Sequence, residues 1–160
     1  MKFLFLALAI MTSISTNASA DGKVWATAIS KQAATDRAIV FRYIRDFQPG
    51  FSRQAYPERI IIVWRYQSPS GMPEKADNDR MSQLEDLLTP VVEKPGFSSL
   101  VLVSTGENLR EWVYYAKSEK EFLASLNKAL AGHRPFPIEI HGAKDPEWST
   151  YEQFRNGVRE

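Results

Sequence analysis

Cysteine is absent from the 160-residue chain. Its absence excludes disulfide bonds, a cysteine nucleophile and metal sites built on cysteine, so an exported form of this chain would be held together by its core alone. An excess of one charge is missing as well, because 20 basic and 19 acidic residues leave a net charge of +1. A nearly neutral chain gives no electrostatic reason to expect nucleic acid or an anionic membrane as a partner.

A hydrophobic run of membrane-spanning length is missing too. The longest run, Phe3 to Met11, has about half of the roughly 20 residues that a spanning helix needs. It fits the central part of a secretory signal peptide, with Lys2 before it and the small residues Ala18-Ser19-Ala20 before a cleavage site. We therefore expect residues 1–20 to be removed on export. Residues 21–160 would then form a single domain in the periplasm or outside the cell, without membrane insertion.

The rest of the chain alternates between strand and helix patterns. Runs rich in β-branched and aromatic residues, bounded by turn signals, predict strands at 24–32, 38–47, 59–67, 99–105, 110–116 and 136–141. A polar turn at 33–36 joins the first two into a predicted hairpin. The segment 59–67 is apolar almost throughout, which predicts a central strand that is buried on both faces.

Three segments have the signals of helices. The first should begin near Asp77 or Asp79, and Pro90 should kink it or end it early. The second follows a capping box that opens with Ser118. The third should begin at Asp145, with this residue as the N-cap and a proline at the first helical position.

This order of elements predicts an α+β fold. Its centre would be a ferredoxin-like β-α-β-β-α-β core, extended by an N-terminal β-hairpin and a C-terminal helix. Right-handed crossovers would place 59–67 and 110–116 at the centre of the sheet. The two core helices can cover only one face, so the other face must be covered by the hairpin, the C-terminal helix or a partner, or else remain an exposed aromatic surface.

Short motifs, many of them aromatic, are spread over nearly all of the chain after residue 20. They are Trp64-Arg65-Tyr66, Gly71-Met72-Pro73, Arg80-Met81 with Leu84-Glu85-Asp86, Thr105-Gly106 with Arg110-Glu111-Trp112 and Tyr114-Tyr115, and Asp145-Pro146 with Trp148 and Tyr151. With these motifs the chain resembles the family called domain of unknown function 695. The resemblance implies a small α+β domain, often bacterial, and it supplies no activity, cofactor or catalytic residues.

Motifs of known catalysis are not found. There is no Gly-x-Ser-x-Gly elbow and no glycine-rich turn that enters a helix, and the only two histidines, His133 and His141, match no metal-ligand spacing. Glu85-Asp86 lies on the polar side of the first helix, where solvent accounts for both carboxylates. We expect neither a metal nor a cofactor and assign no catalytic residue. An uncharacterised hydrolase is the alternative, with Ser104, Thr105, His133 or His141 contributing.

The aromatic residues of two predicted neighbouring strands are the candidate ligand site. Trp64, Tyr66, Trp112 and Tyr114, with Arg110 beside them, would suit a stacking platform for a base or a sugar. The alternative is that these rings are core, packed beneath the C-terminal helix, and the rarity of large exposed apolar patches on monomers favours it. Neutral charge and export favour a sugar, a peptide or a protein surface over nucleic acid. The sequence thus predicts a non-enzymatic module that binds a small molecule or a protein.

Overall fold

The computed structural model describes residues 10–11, 16–18, 20, 22–31 and 37–159. Apart from a few residues, the predicted signal peptide lies outside this range, and so does the predicted turn at 33–36. The described elements are β1 (Ile10–Met11), β2 (Asn17–Ala18), β3 (Val24–Lys31), β4 (Ala38–Asp46), β5 (Glu58–Arg65), α1 (Lys75–Val92), β6 (Ser98–Gly106), β7 (Leu109–Ala116), α2 (Glu119–Leu130), β8 (Ile138–Lys144) and α3 (Ser149–Gly157). Within the described ranges, no helix is long and apolar enough to cross a membrane.

The strands form one antiparallel sheet in the order β1-β3-β4-β6-β7-β5-β8, and β2 also pairs with β3. This confirms the α+β class, and it places β5 and β7 side by side as predicted. The order of the whole sheet differs from that of a four-stranded ferredoxin-like sheet. The reason is that β4 pairs with β6, which joins the N-terminal hairpin to the same sheet and makes it longer.

Strand β7 faces two separate cores, as its alternation predicted. Trp112 and Tyr114 belong to the core beneath α1 and α2, and Val113 and Tyr115 belong to the core beneath α3. We call the two sides of the sheet the α1–α2 face and the α3 face. Because successive side chains of a strand point to opposite faces, a strand with large apolar residues at every position must be covered on both sides.

The C-terminal helix, one of the three covers considered, provides the cover of the α3 face. The indole of Trp148 stacks on the ring of Tyr115 with centroids 4.0 Å apart and an interplanar angle of 10°. Its Nε1 donates hydrogen bonds to the carbonyl oxygens of Arg53, at 3.1 Å, and of Tyr56, at 3.0 Å. The hydroxyl of Tyr151 donates to the carbonyl of Ile44 in β4. The helix is therefore tied to β4, to β7 and to the segment before β5.

The observed limits of α1 correct two predictions. Helix α1 begins at Lys75, without a side-chain cap, and continues past Pro90 to Val92. A proline has no backbone N–H, so one in the last turn costs the helix a single backbone hydrogen bond. The carbonyl that loses its donor lies near the helix end, where solvent can take the place of that donor. The predicted Ser118 cap of α2 is confirmed, because its Oγ accepts a hydrogen bond from the backbone N–H of Glu121 at 3.3 Å.

Helix α3 begins at Ser149 and not directly after Asp145. Trp148 has a left-handed backbone with φ of 57°, which separates the Asp-Pro-Glu turn from the helix. Asp145 still caps the helix from this distance. Its carboxylate accepts hydrogen bonds from the backbone N–H groups of Ser149, at 2.8 Å, and Thr150, at 3.1 Å, and from the hydroxyl of Tyr115, at 2.6 Å.

Asp145 should make the stability of the protein depend on pH. Burial alone would raise the pKa of Asp145, but the hydrogen bonds from Ser149, Tyr115 and Thr150 outweigh it and lower the pKa to about 2. A carboxyl whose pKa is depressed by folding stabilises the native state above its unfolded pKa, and this contribution is lost as pH falls toward the native value. Asp145→Asn should cost about 1–3 kcal/mol at neutral pH and less than that near pH 2.

Urea unfolding across this pH range measures the effect. Glu147→Gln is the matched control, because Glu147 lies in the same turn but is exposed. The account of the cap is wrong if Asp145→Asn and wild type lose stability in parallel as the solution is acidified.

Candidate functional site

The four predicted aromatic site residues are part of the core on the α1–α2 face. Trp64, Tyr66, Trp112 and Tyr114 are each at most 6% exposed. They pack with residues of α1 and α2, and not beneath the C-terminal helix as the core alternative supposed. These rings do not form an open stacking surface in this structure. That they bind a ligand stays a prediction, and it would require α1 or α2 to move.

The structure brings the predicted set together on one face, with Arg110 as the register partner of Trp64, but most of the ring contacts are with other residues. The guanidinium carbon of Arg110 lies 5.7 Å from the centroid of the Trp112 ring. Trp64 instead contacts the ring of Phe136, with centroids 6.1 Å apart, and Tyr114 contacts Phe122, at 5.1 Å. Tyr66 turns toward a loop, and burial raises its pKa to about 12 although nearby Arg110 opposes the change.

Several family motifs meet at this loop. The hydroxyl of Tyr66 donates a hydrogen bond to the carbonyl of Gly71 at 2.8 Å, and the backbone N–H of Asn108 donates to the same carbonyl at 2.9 Å. Gly71 has φ of 77°, and a Cβ there would lie 3.3 Å from the backbone nitrogen of Glu107. The loop thus closes on the tip of the β6–β7 hairpin, which assigns these motif residues a structural role.

Glu85 of α1 links the buried residues to the surface. Its Oε1 accepts a hydrogen bond from Trp112 Nε1 at 2.8 Å and lies 3.9 Å from Arg110 Nη1. Its Oε2 accepts one from Arg42 Nη2 of β4 at 3.2 Å. The Arg42 guanidinium in turn lies over the ring of Trp25, 5.5 Å from its centroid. A carboxylate predicted to be merely solvated therefore organises two arginines and an indole.

Sequence reasoning missed this arrangement. The helical periodicity placed Glu85 on the polar side of α1. A periodicity within one helix carries no information about the indole N–H of Trp112, which lies on the strand beneath. A signal was nevertheless present, because Glu85 follows Leu84 and lies four residues after Met81, so it borders the buried stripe of the helix. Long side chains at such borders often reach polar groups in the core.

A groove of about 460 Å³ lies between α1 and the β3–β4 hairpin. It exists because the hairpin extends the sheet beyond the area that α1 covers. It is lined by Asn17 and Ala18 of the N-terminal segment and by Trp25, Arg42, Glu85, Thr89, Glu93 and Leu100. An aromatic ring and a buried leucine thus face carboxylates, a hydroxyl and a guanidinium. Apolar surface with a few convergent polar groups is the usual composition of a ligand site.

A second polar cluster lies on the α3 face near β8. Ser104 Oγ donates a hydrogen bond to Glu111 Oε2 at 3.3 Å, and burial raises the pKa of Glu111 against the opposing effects of Ser104, Arg65 and His141. His141 Nε2 is buried without a hydrogen bond in the described part of the chain, and it lies 3.5 Å from Glu139 Oε2. A partly buried acid beside a hydroxyl and an imidazole can transfer protons.

The other two hydrolase candidates are not in this cluster. Thr105 Oγ1 accepts a hydrogen bond from Arg110 Nε at 2.9 Å, which places it on the opposite face of the sheet. His133 is exposed beyond the end of α2. Among the described residues, no group of three or more histidine, aspartate and glutamate side chains could hold a metal ion.

Comparisons with known proteins identify a family and no activity. No curated protein matches the chain. The model of a family of unknown function, DUF695, matches residues 23–155, which include the six strands from β3 to β8, both helices of the α1–α2 face and most of α3. This match covers most of the chain and includes the motifs that carried the resemblance. The chain therefore belongs to the DUF695 family.

Proposed function

We propose that this protein is an exported, non-enzymatic module that binds a small polar molecule or a protein segment in the groove beside α1. The observation that carries the proposal is the chain of contacts from Trp112 through Glu85 to Arg42. Exposed arginine–glutamate pairs usually contribute little, because both side chains are mobile. Here the other oxygen of Glu85 is fixed by an indole that is 1% exposed. Arg42 is therefore held in place at the groove before any ligand arrives, which reduces the entropy lost on binding.

The groove also limits the kind of ligand. Arg42 offers a charged donor, and Glu85, Glu93 and Thr89 offer oxygen acceptors on the helix side. The half-buried Trp25 offers the surface on which a flat apolar face can lie. A sugar or a short peptide combines such a face with hydroxyl or amide groups. Mixed charges and a nearly neutral chain do not favour nucleic acid.

Export and domain organisation are parts of the same proposal. The signal-peptide features of residues 1–20 support secretion, and the cleaved chain would be periplasmic or extracellular. Of residues 1–20, those whose burial is described, 16–18 and 20, are all exposed, and the buried residues of the two cores lie between Ala26 and Phe154. This supports residues 21–160 as one domain.

The order β6-β7-β5-β8, with α1 and α2 as the connecting helices, supports a ferredoxin-like core to which the β3–β4 hairpin is added.

Arg42 provides the test of the groove. A panel of mono- and disaccharides and dipeptides is screened by saturation-transfer NMR, and the affinity of each hit is measured by titration. Arg42→Gln should weaken binding about tenfold or more, because it removes the charged donor and frees Glu85. The stability should change by less than about 1 kcal/mol, since Arg42 itself is half exposed.

Arg45→Gln is the matched control. Arg45 lies on the same strand and pairs with Asp46, outside the groove. Equal affinities of the Arg42 and Arg45 variants would refute the groove as the binding site.

A periplasmic hydrolase is the second candidate, and the Ser104–Glu111 hydrogen bond is the observation that favours it. In such an enzyme the Ser104 hydroxyl would attack an ester carbonyl while Glu111 takes its proton and returns it to the departing alcohol, and water would then release the acid from Ser104. His141 would stand near the developing charge. The hydrogen bond is long at 3.3 Å, and the strand β5 separates Glu111 of β7 from His141 of β8. Because of the long hydrogen bond and this separation, the structural support for a hydrolase is weaker than the support for ligand binding in the groove.

Ester hydrolysis separates the two candidates. With p-nitrophenyl acetate and butyrate as probes, we expect wild type to hydrolyse no faster than an equal concentration of the Ser104→Ala variant. His141→Gln, with His133→Gln as the exposed control, should be equally without effect. Turnover that Ser104→Ala and His141→Gln abolish and His133→Gln retains would establish the hydrolase and displace the binding module.

A further inference from the structure

The two outer regions of the sheet differ in how they are protected from pairing with another strand. Strand β8 forms one edge and has charged side chains at Glu139 and Lys144 and a glycine at Gly142. Charges and glycine on an edge strand discourage pairing with other chains. Strand β3, near the other edge, has eight residues without proline or glycine, and its only charged residue is Lys31 at the end. A strand with so little charge is a template for strand addition.

Strand β3 does carry a partner in the described chain. Its outer side pairs antiparallel with β1 and β2, in the register Ile10↔Ser30, Met11↔Ile29, Asn17↔Trp25 and Ala18↔Val24. The pairing demonstrates that this side accepts an antiparallel strand near both of its ends. All of the pairing residues belong to the segment 1–20 whose removal is part of the proposed function. Cleavage after Ala20 would take from β3 the backbone partners that it has in the full chain.

We propose that β3 of the exported protein pairs with β3 of a second copy, which joins two sheets into one around a two-fold axis. The proposal rests on the export part of the proposed function. Backbone N–H and C=O groups of an open edge gain partners when such a dimer forms. A two-fold arrangement closes on itself, so assembly stops at the dimer.

The sequence of β3 is complementary to itself in the register whose two-fold axis lies at Ala28. In an antiparallel pair, residues that lie directly opposite each other point their side chains to the same side of the sheet. When the two strands are identical, this requires the two-fold axis to pass through a residue and not between two residues. An axis at Ala28 pairs Lys31 with Trp25, Ser30 with Ala26, and Ile29 with Thr27. The first pair offers a cation–π contact, and the second has only small side chains. An axis at Thr27 would oppose Lys31 and Lys23, and like charges across strands are unfavourable.

This register would also change the groove. Trp25 lines the groove, and so does Asn17, its partner in the full chain. In the dimer, Lys31 of the second copy would take the place of Asn17 opposite Trp25. Each groove would then contain Arg42 of one copy and Lys31 of the other. The dimer therefore makes the groove more favourable for a ligand that carries a carboxylate or another anionic group.

Light scattering of the exported protein tests the dimer. The full chain is produced with its leader and isolated after export, and intact mass identifies the cleavage site. We expect a cleaved chain with twice the monomer mass, and a monomer for uncleaved chain made without export. A cleaved monomer would overturn the dimer, and if that monomer still bound ligands through Arg42, the groove proposal would stand without it. An exported chain that keeps residues 1–20 would overturn the dimer together with the proposed cleavage.

A pair of double variants tests the register. Thr27 and Ile29 face each other in the proposed dimer, and neither is buried in the described chain. Thr27→Lys with Ile29→Lys places like charges opposite each other, and we expect the dimer to weaken about tenfold or more. Thr27→Lys with Ile29→Glu places opposite charges there and should restore it. Circular dichroism controls for folding of both variants. Equal dimerisation of the two folded variants would refute this register and with it the proposal.

Discussion

The fold depends on one constraint, which is that β7 carries large apolar side chains on both of its faces. Trp112 and Tyr114 need cover on one side, and Val113 and Tyr115 need it on the other. The chain meets this constraint with α1 and α2 on the first face and with the short helix α3 on the second. The α3 side is held by specific contacts as well as by apolar area. Trp148 stacks on Tyr115, whose hydroxyl binds Asp145, and Asp145 caps the helix that carries the cover.

The same arrangement leaves the groove open. The β3–β4 hairpin makes the sheet longer than the helices that cover it, so part of the α1–α2 face remains accessible beside α1. Glu85 stands at this border and connects the buried Trp112 with the exposed Arg42. The core thereby fixes the orientation of a surface arginine, which a loop could not do as well. The proposed binding role and the stability of the α1–α2 face thus share one carboxylate.

Local sequence rules predicted what depends on neighbouring residues. They gave the strands, the alternation of β7 and the Ser118 cap, because each is decided by a few adjacent side chains. They failed at α3, where the left-handed Trp148 delays the helix, since the stacking of its indole on Tyr115 is a tertiary contact. Alternation also assigned the aromatic residues to faces but could not tell which part of a face stays open. That depends on where the hairpin joins the sheet, and the Glu85 network depends on a strand far away in the sequence.

The groove beside α1, and not the predicted aromatic set, is the open part of the α1–α2 face, and the four tryptophans report on this directly. Trp25 lies half-buried in the groove, whereas Trp64, Trp112 and Trp148 are at most 2% exposed. Hydroxyl-radical footprinting with mass spectrometry measures the oxidation rate of each indole in the native protein. The account predicts rapid oxidation of Trp25 and strong protection of the other three. Oxidation of Trp64 or Trp112 as rapid as that of Trp25 would contradict it, because the α1–α2 face would then be open.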